Sequence, residues 1–96
     1  MSDILNAAVE ALNEKLGGDG FDSSVKFELG DEGSIVIDEN GAAVSDADTD
    51  CTLTADVETF QGILSGEINP TSAFMSGKLS VDGDMGVAMK LGQVLA

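Results

Sequence analysis

Histidine, arginine, tryptophan and tyrosine are all absent from this 96-residue chain. Without His there is no imidazole to act as general base or metal ligand. Aromatic side chains are 4% of the chain, all of them Phe, so the core must be aliphatic, Met and Phe. Cys51 is the only cysteine, which excludes an internal disulfide. No apolar run approaches the roughly 20 residues of a membrane span, so no stable membrane insertion is expected. The start, Met1-Ser2-Asp3-Ile4, lacks a basic segment followed by an apolar one, so no signal peptide is expected and the expected location is cytoplasmic. Positive charge is scarce: Lys15, Lys26, Lys78 and Lys90 stand against 18 Asp and Glu, a net charge of -14. Such a balance argues against nucleic acid and against anionic lipid surfaces as partners, while basic or neutral partners are allowed.

What is present suits one domain, expected to span residues 1–96. Hydrophobic residues are 43%, too many for a disordered chain. Ile4, Leu5, Ala8, Val9, Leu12 and Leu16 recur at helical spacing after a cap at Ser2 or Asp3, and Gly17-Gly18 ends that helix. The period then changes to two. Val25, Phe27 and Leu29 alternate with Lys26 and Glu28, and Ile35 and Ile37 continue the pattern beyond Gly30-Asp31-Glu32-Gly33. Asn40-Gly41 is a second turn signal, with a short strand over Ala42–Ser45. Cys51, Leu53 and Ala55 mark a fourth strand, with Cys51 on the apolar side as a core position. A helix over Asp56–Ser65 carries Val57, Phe60 and Leu64 on one side and stops at Gly66. Asn69-Pro70 pairs a good N-cap with the N1 position where Pro costs nothing. A short helix through Ala73, Phe74 and Met75 ends at Gly77, and Leu79 and Val81 mark a fifth strand. Asp84 caps a last helix that runs to about Leu95. There is no regular strand–helix alternation, so the expectation is an antiparallel or mixed sheet with helices on one face.

The last helix departs from this pattern. Met85, Val87, Ala88, Met89, Leu91, Val94 and Leu95 are interrupted only by glycines and by Lys90 and Gln93. At about 100° per residue these positions cover much more than one stripe, and a helix apolar nearly all round needs cover on more than one side. Three answers stand: it threads the core, it packs on a partner, or it faces an apolar ligand. Met is the adaptable filler expected where the fit must vary.

Reactive chemistry finds little support. Asp46, Asp48 and Asp50 begin like a calcium loop, but Cys51 and Val57 occupy the positions that need Gly and Glu. There is no phosphate-binding glycine loop, and Cys51 has neither His nor a nearby Lys to activate it. No cofactor is expected, and nothing supports catalysis.

The second half resembles the sterol carrier protein type 2 (SCP-2) family. The residues that carry the likeness are Thr52-Leu53-Thr54-Ala55-Asp56, Phe60, Gly66-Glu67-Ile68-Asn69-Pro70, Ala73-Phe74-Met75, Gly77-Lys78-Leu79 and the run Gly83-Asp84-Met85-Gly86-Val87-Ala88-Met89-Lys90-Leu91. The first half matches by order of elements. The resemblance implies an α/β (α+β) fold: a five-stranded, mainly antiparallel sheet covered on one face by helices, with an apolar cavity between them. It also implies non-catalytic binding and intracellular carriage of a fatty acyl or sterol-like lipid. Phe60, Leu64, Phe74, Met75, Met85 and Met89 are the expected lining, with Gln93 as the only polar group at the mouth and release gated by the last helix. Glu67 stands where the family commonly has Lys, and the chain is far more acidic than many carriers, which weakens any carry-over of acyl-CoA binding or membrane-docked exchange. The sequence ends at Ala96, so the expected cavity is open there or completed by a homodimer or a partner enzyme. The rival readings are a protein-interaction module using the apolar last helix, and an accessory domain that presents lipid to a partner enzyme.

Overall fold

The computed structural model describes residues 3–17 and 20–95. Ser2 as a cap, Gly18 in the helix stop and the final residue Ala96 lie outside the described residues. In chain order the elements are α1 (Asp3–Leu16), β1 (Val25–Glu28), β2 (Ser34–Asp38), β3 (Gly41–Val44), β4 (Cys51–Ala55), α2 (Val57–Ser65), α3 (Pro70–Met75), β5 (Leu79–Gly83) and α4 (Met85–Leu95). A single 3₁₀ turn, Gly30–Glu32, joins β1 to β2. No helix among the described residues is long and apolar enough to cross a membrane.

The five strands form one sheet in the order β3-β2-β1-β4-β5. Three neighbouring pairs are antiparallel, and β1 with β4 is parallel. Strands β1, β2 and β3 form an antiparallel meander, and residues 45–50 carry the chain from the edge strand β3 to the far side of β1. Register places Val44, Ile35, Phe27, Leu53 and Val81 in one row across all five strands. Ala42, Ile37, Val25, Cys51 and Gly83 form a second row on the same face. The period-two pattern therefore supplies a continuous apolar face for the helices to cover. On the opposite face Val36 is also buried, although its row is shared with Lys26 and Thr52.

Helix α1 sends Leu5, Ala8, Leu12 and Leu16 into the core and packs on β2 and β3. A side-chain amide pins it to the sheet edge: Asn13 Nδ2 donates to the Ala42 carbonyl (3.2 Å), and Ala42 N–H donates to Asn13 Oδ1 (2.9 Å). These bonds satisfy backbone groups that an edge strand otherwise leaves open.

The second half is delimited by side-chain caps, of which Asn69 and Asp84 were expected from the sequence, while Asp56 caps α2 rather than opening it as its first residue. Asp56 Oδ1 accepts from Thr59 N–H at 2.7 Å to start α2. Asn69 Oδ1 accepts from the N–H groups of Thr71 (2.8 Å) and Ser72 (3.3 Å) to start α3, with Pro70 as its first residue. Asp84 Oδ1 accepts from Gly86 N–H at 2.8 Å to start α4. Helix α3 ends in a Schellman turn: Gly77 has φ 82°, Gly77 N–H donates to Phe74 and Lys78 N–H to Ala73. Between α2 and α3, Ile68 folds back over Gly62. A β-carbon at Gly62 would meet the Ile68 side chain, with Cγ1 only 2.7 Å away.

Candidate functional site

A cavity of about 420 Å³ lies between the β1-β4-β5 side of the sheet and helices α3 and α4. Its floor is Phe27, Leu53 and Val81, three neighbours in one register row, with Leu79 one step along β5. Ile63 of α2 closes one side. Helix α3 contributes Pro70, Thr71, Phe74 and Met75, with its cap Asn69. Helix α4 contributes Met85, Ala88, Met89, Gly92 and Gln93, which follow i, i+3, i+4, i+7, i+8 spacing, and Leu95.

The excess apolar surface of α4 is thereby divided between two sides. Val87, Leu91 and Leu95 are buried in the core, Leu91 completely, while the Met85–Met89 stripe turns to the cavity. Five large hydrophobic side chains are exposed among the described residues, and four of them line this cavity: Phe74 (41%), Met75 (80%), Met85 (45%) and Met89 (67%). They form its mouth.

Five of the seven expected lining residues meet here: Phe74, Met75, Met85, Met89 and Gln93. Phe60 and Leu64 do not line the cavity. Phe60 is fully buried behind Phe27, ring centroids 4.8 Å apart and planes tilted by 50°, so it backs the floor. Leu64 is half-buried and packs on the core. Helical spacing correctly put both on an apolar side, but α2 turns Ile63 to the cavity instead. Gln93 is also not the only polar lining group, because Asn69 and Thr71 share that role. The floor residues were legible as inward-facing strand positions, but nothing local says that the helices stand off from the sheet above them.

Among the described residues the lining contains no charged side chain and no cysteine. Cys51 is buried beside Val25, and burial, then the negative charges of Asp84 and Asp82, push its thiol pKa up, away from the reactive thiolate. No group of three or more Cys, Asp and Glu that could hold a metal occurs among the described residues. Lys90 is tied to Asp22 at 2.8 Å in an exposed ion pair that joins α4 to the segment before β1 and lowers the Asp22 pKa.

A family model described as the SCP-2 sterol transfer family matches residues 5–96. The chain belongs to this family. Among curated SCP-2 relatives, human sterol carrier protein 2 is 49% identical over 47 residues, which cover 49% of this chain and 9% of that protein. Zebrafish hydroxysteroid dehydrogenase-like protein 2 is 47% identical over 47 residues, 49% of this chain and 11% of that one. The chain thus spans about a tenth of the length of these relatives. Its fold is similar to the solution structure of Aedes aegypti sterol carrier protein 2 in complex with palmitate, with a TM-score of 0.78, 20% identity, and coverage of 100% of this chain and 97% of that one.

Proposed function

We propose that this SCP-2 chain binds an apolar lipid in the cavity and carries it without chemical change. The observation that carries the reading is the mouth: four of the five exposed large hydrophobics surround one apolar cavity. Water wets these side chains at a free-energy cost that a bound hydrocarbon chain removes. Each buried CH₂ contributes about 0.8 kcal/mol, so a long chain needs few polar contacts. The volume lies within the roughly 300–1,000 Å³ typical of small-molecule sites. The lining offers no ionisable group for acid–base work, which favours carriage over catalysis. The relatives' names and the palmitate complex of the mosquito neighbour support the same reading. Capture and release would proceed by small movements of α4, whose cavity-facing Met85 and Met89 are exposed.

Exposure of Met75 and Met89 also favours a second reading, in which a second copy or a partner enzyme covers the mouth and receives the lipid. Native mass spectrometry of the purified chain, before and after lipid extraction, followed by titration with a fluorescent acyl probe, separates the two. One lipid or probe bound per monomer is the expected result. A chain that binds no apolar probe yet self-associates through this face would overturn lipid carriage in favour of the interaction reading.

A further inference from the structure

The cavity is polar at one end and apolar at the other. A β-carbon placed at Gly92 would sit 3.7 Å from Pro70 Cβ, which sets the start of α3 beside the end of α4. Asn69, Thr71 and Gln93 therefore gather at one end of the lining. Met85 is eight residues before Gln93, about 12 Å along the helix axis. Asn69 spends its Oδ1 on the α3 cap, which leaves its Nδ2 donors free of any protein partner among the described residues. The Thr71 hydroxyl and the Gln93 amide likewise make no protein hydrogen bond there. All three are exposed, so they can exchange water for a ligand group at this end.

Among the described residues no cation lines this end. The chain has four lysines and no arginine. None lines the cavity. Lys90 is held by Asp22, and Lys78 lies close enough to Asp56 to help lower its pKa. The net charge of -14 adds long-range repulsion of any anion.

We infer that the site selects lipids whose head is uncharged and bonds through a hydroxyl or carbonyl, held by Asn69, Thr71 and Gln93, over lipids that end in a carboxylate or a phosphate. The inference rests on the lipid-carrier reading. Its physical basis is that an anion taken from water to the polar end of the cavity gains no countercharge from the described residues, whereas an alcohol exchanges water for amide and hydroxyl partners.

Displacement of a neutral fluorescent acyl probe by hexadecanol, palmitate and palmitoyl-CoA, each kept below its aggregation threshold, tests it. Hexadecanol is expected to displace the probe at concentrations at least tenfold lower than palmitate, and palmitoyl-CoA to be weaker still. Near 1 M salt, where the Debye length is about 3 Å, the ratio should shrink but keep its direction, because the missing cation is a local feature. Palmitate binding as well as hexadecanol at low salt would overturn the selectivity while leaving lipid carriage intact. If all three ligands and the probe failed to bind, carriage itself would fall. Gln93→Lys supplies the missing cation, and its hexadecanol-to-palmitate ratio should move about tenfold toward palmitate. An unchanged ratio in a folded Gln93→Lys protein would overturn the placement of the head group.

Discussion

Helices α1 and α4 cover the same face of the same sheet, yet they solve different problems. Helix α1 buries one stripe, Leu5, Ala8, Leu12 and Leu16, and is tied to the β3 edge by Asn13. All four of these side chains are buried. Helix α4 buries a comparable stripe, Val87, Leu91 and Leu95, but keeps a second, partly exposed apolar stripe that lines the cavity. The comparison teaches that apolar content alone does not measure a helix's share of the core. One stripe of α4 holds the fold together, and the other is available to a ligand.

The largest effects should come from the stripes that close the core. Leu12→Ala and Leu91→Ala each remove a side chain of zero exposure, one on each helix. Each should cost about 2–5 kcal/mol in urea unfolding. Equal costs would show that the core stripe of α4 is as closed as that of α1, and a much smaller cost for Leu91 would break the comparison.

Next in size is Gly62→Ala. The new methyl meets Ile68, which links α2 to α3, so the turn and with it the cavity wall must shift. Overpacking of this kind costs about 1–3 kcal/mol. Probe affinity should fall together with the urea midpoint.

Met89→Ser should separate the two stripes of α4. Met89 is 67% exposed, so its loss should leave stability within about 0.5 kcal/mol of the parent. If a bound chain covers it, the lost burial of about 1.5 kcal/mol or more weakens probe binding about tenfold. Unfolding of the ligand-free protein and probe titration read the two outcomes separately.

The smallest effect is electrostatic. Hydrogen bonding from Thr59, by side chain and then backbone, lowers the Asp56 pKa, and Lys78 adds to this. A carboxylate with a lowered folded-state pKa contributes stability that is fully present above its unfolded value, about 3.9. That contribution is lost as pH falls through the folded-state value. Asp56→Asn keeps a capping oxygen without the charge. Its stability difference from the parent should therefore be constant above pH ~5 and shrink in acid. Urea midpoints across that range check it, and a difference that does not change with pH would remove the role assigned to the charge.

Much of the fold was legible because its signals are local. Asn69-Pro70 and Asp84 start their helices where capping chemistry places them, and Cys51, Leu53 and Ala55 take the inward positions that alternation assigns. The likeness carried by Gly83 to Leu91 was legible for the same reason, since it lies in one continuous run. The apolar excess of α4 was also visible, and it announced a second contact surface without naming what fills it.

Tertiary structure decided the rest. The parallel pairing of β1 with β4 brings Phe27 and Leu53 side by side across 26 residues of sequence, and no local pattern encodes that register. The packing of α2 sets Phe60 against the Phe27 ring and outside the cavity lining, while its neighbour on the helix, Ile63, lines it. The approach of Gly92 to Pro70 gathers Asn69, Thr71 and Gln93 at one end of the site. The sequence by itself determined which residues form each element and which side of it is apolar, because propensity, capping and periodicity act over a few neighbouring residues. Where two apolar surfaces meet, and where they stand apart and leave room for a ligand, depends on contacts between distant segments, and only the packed structure decides that.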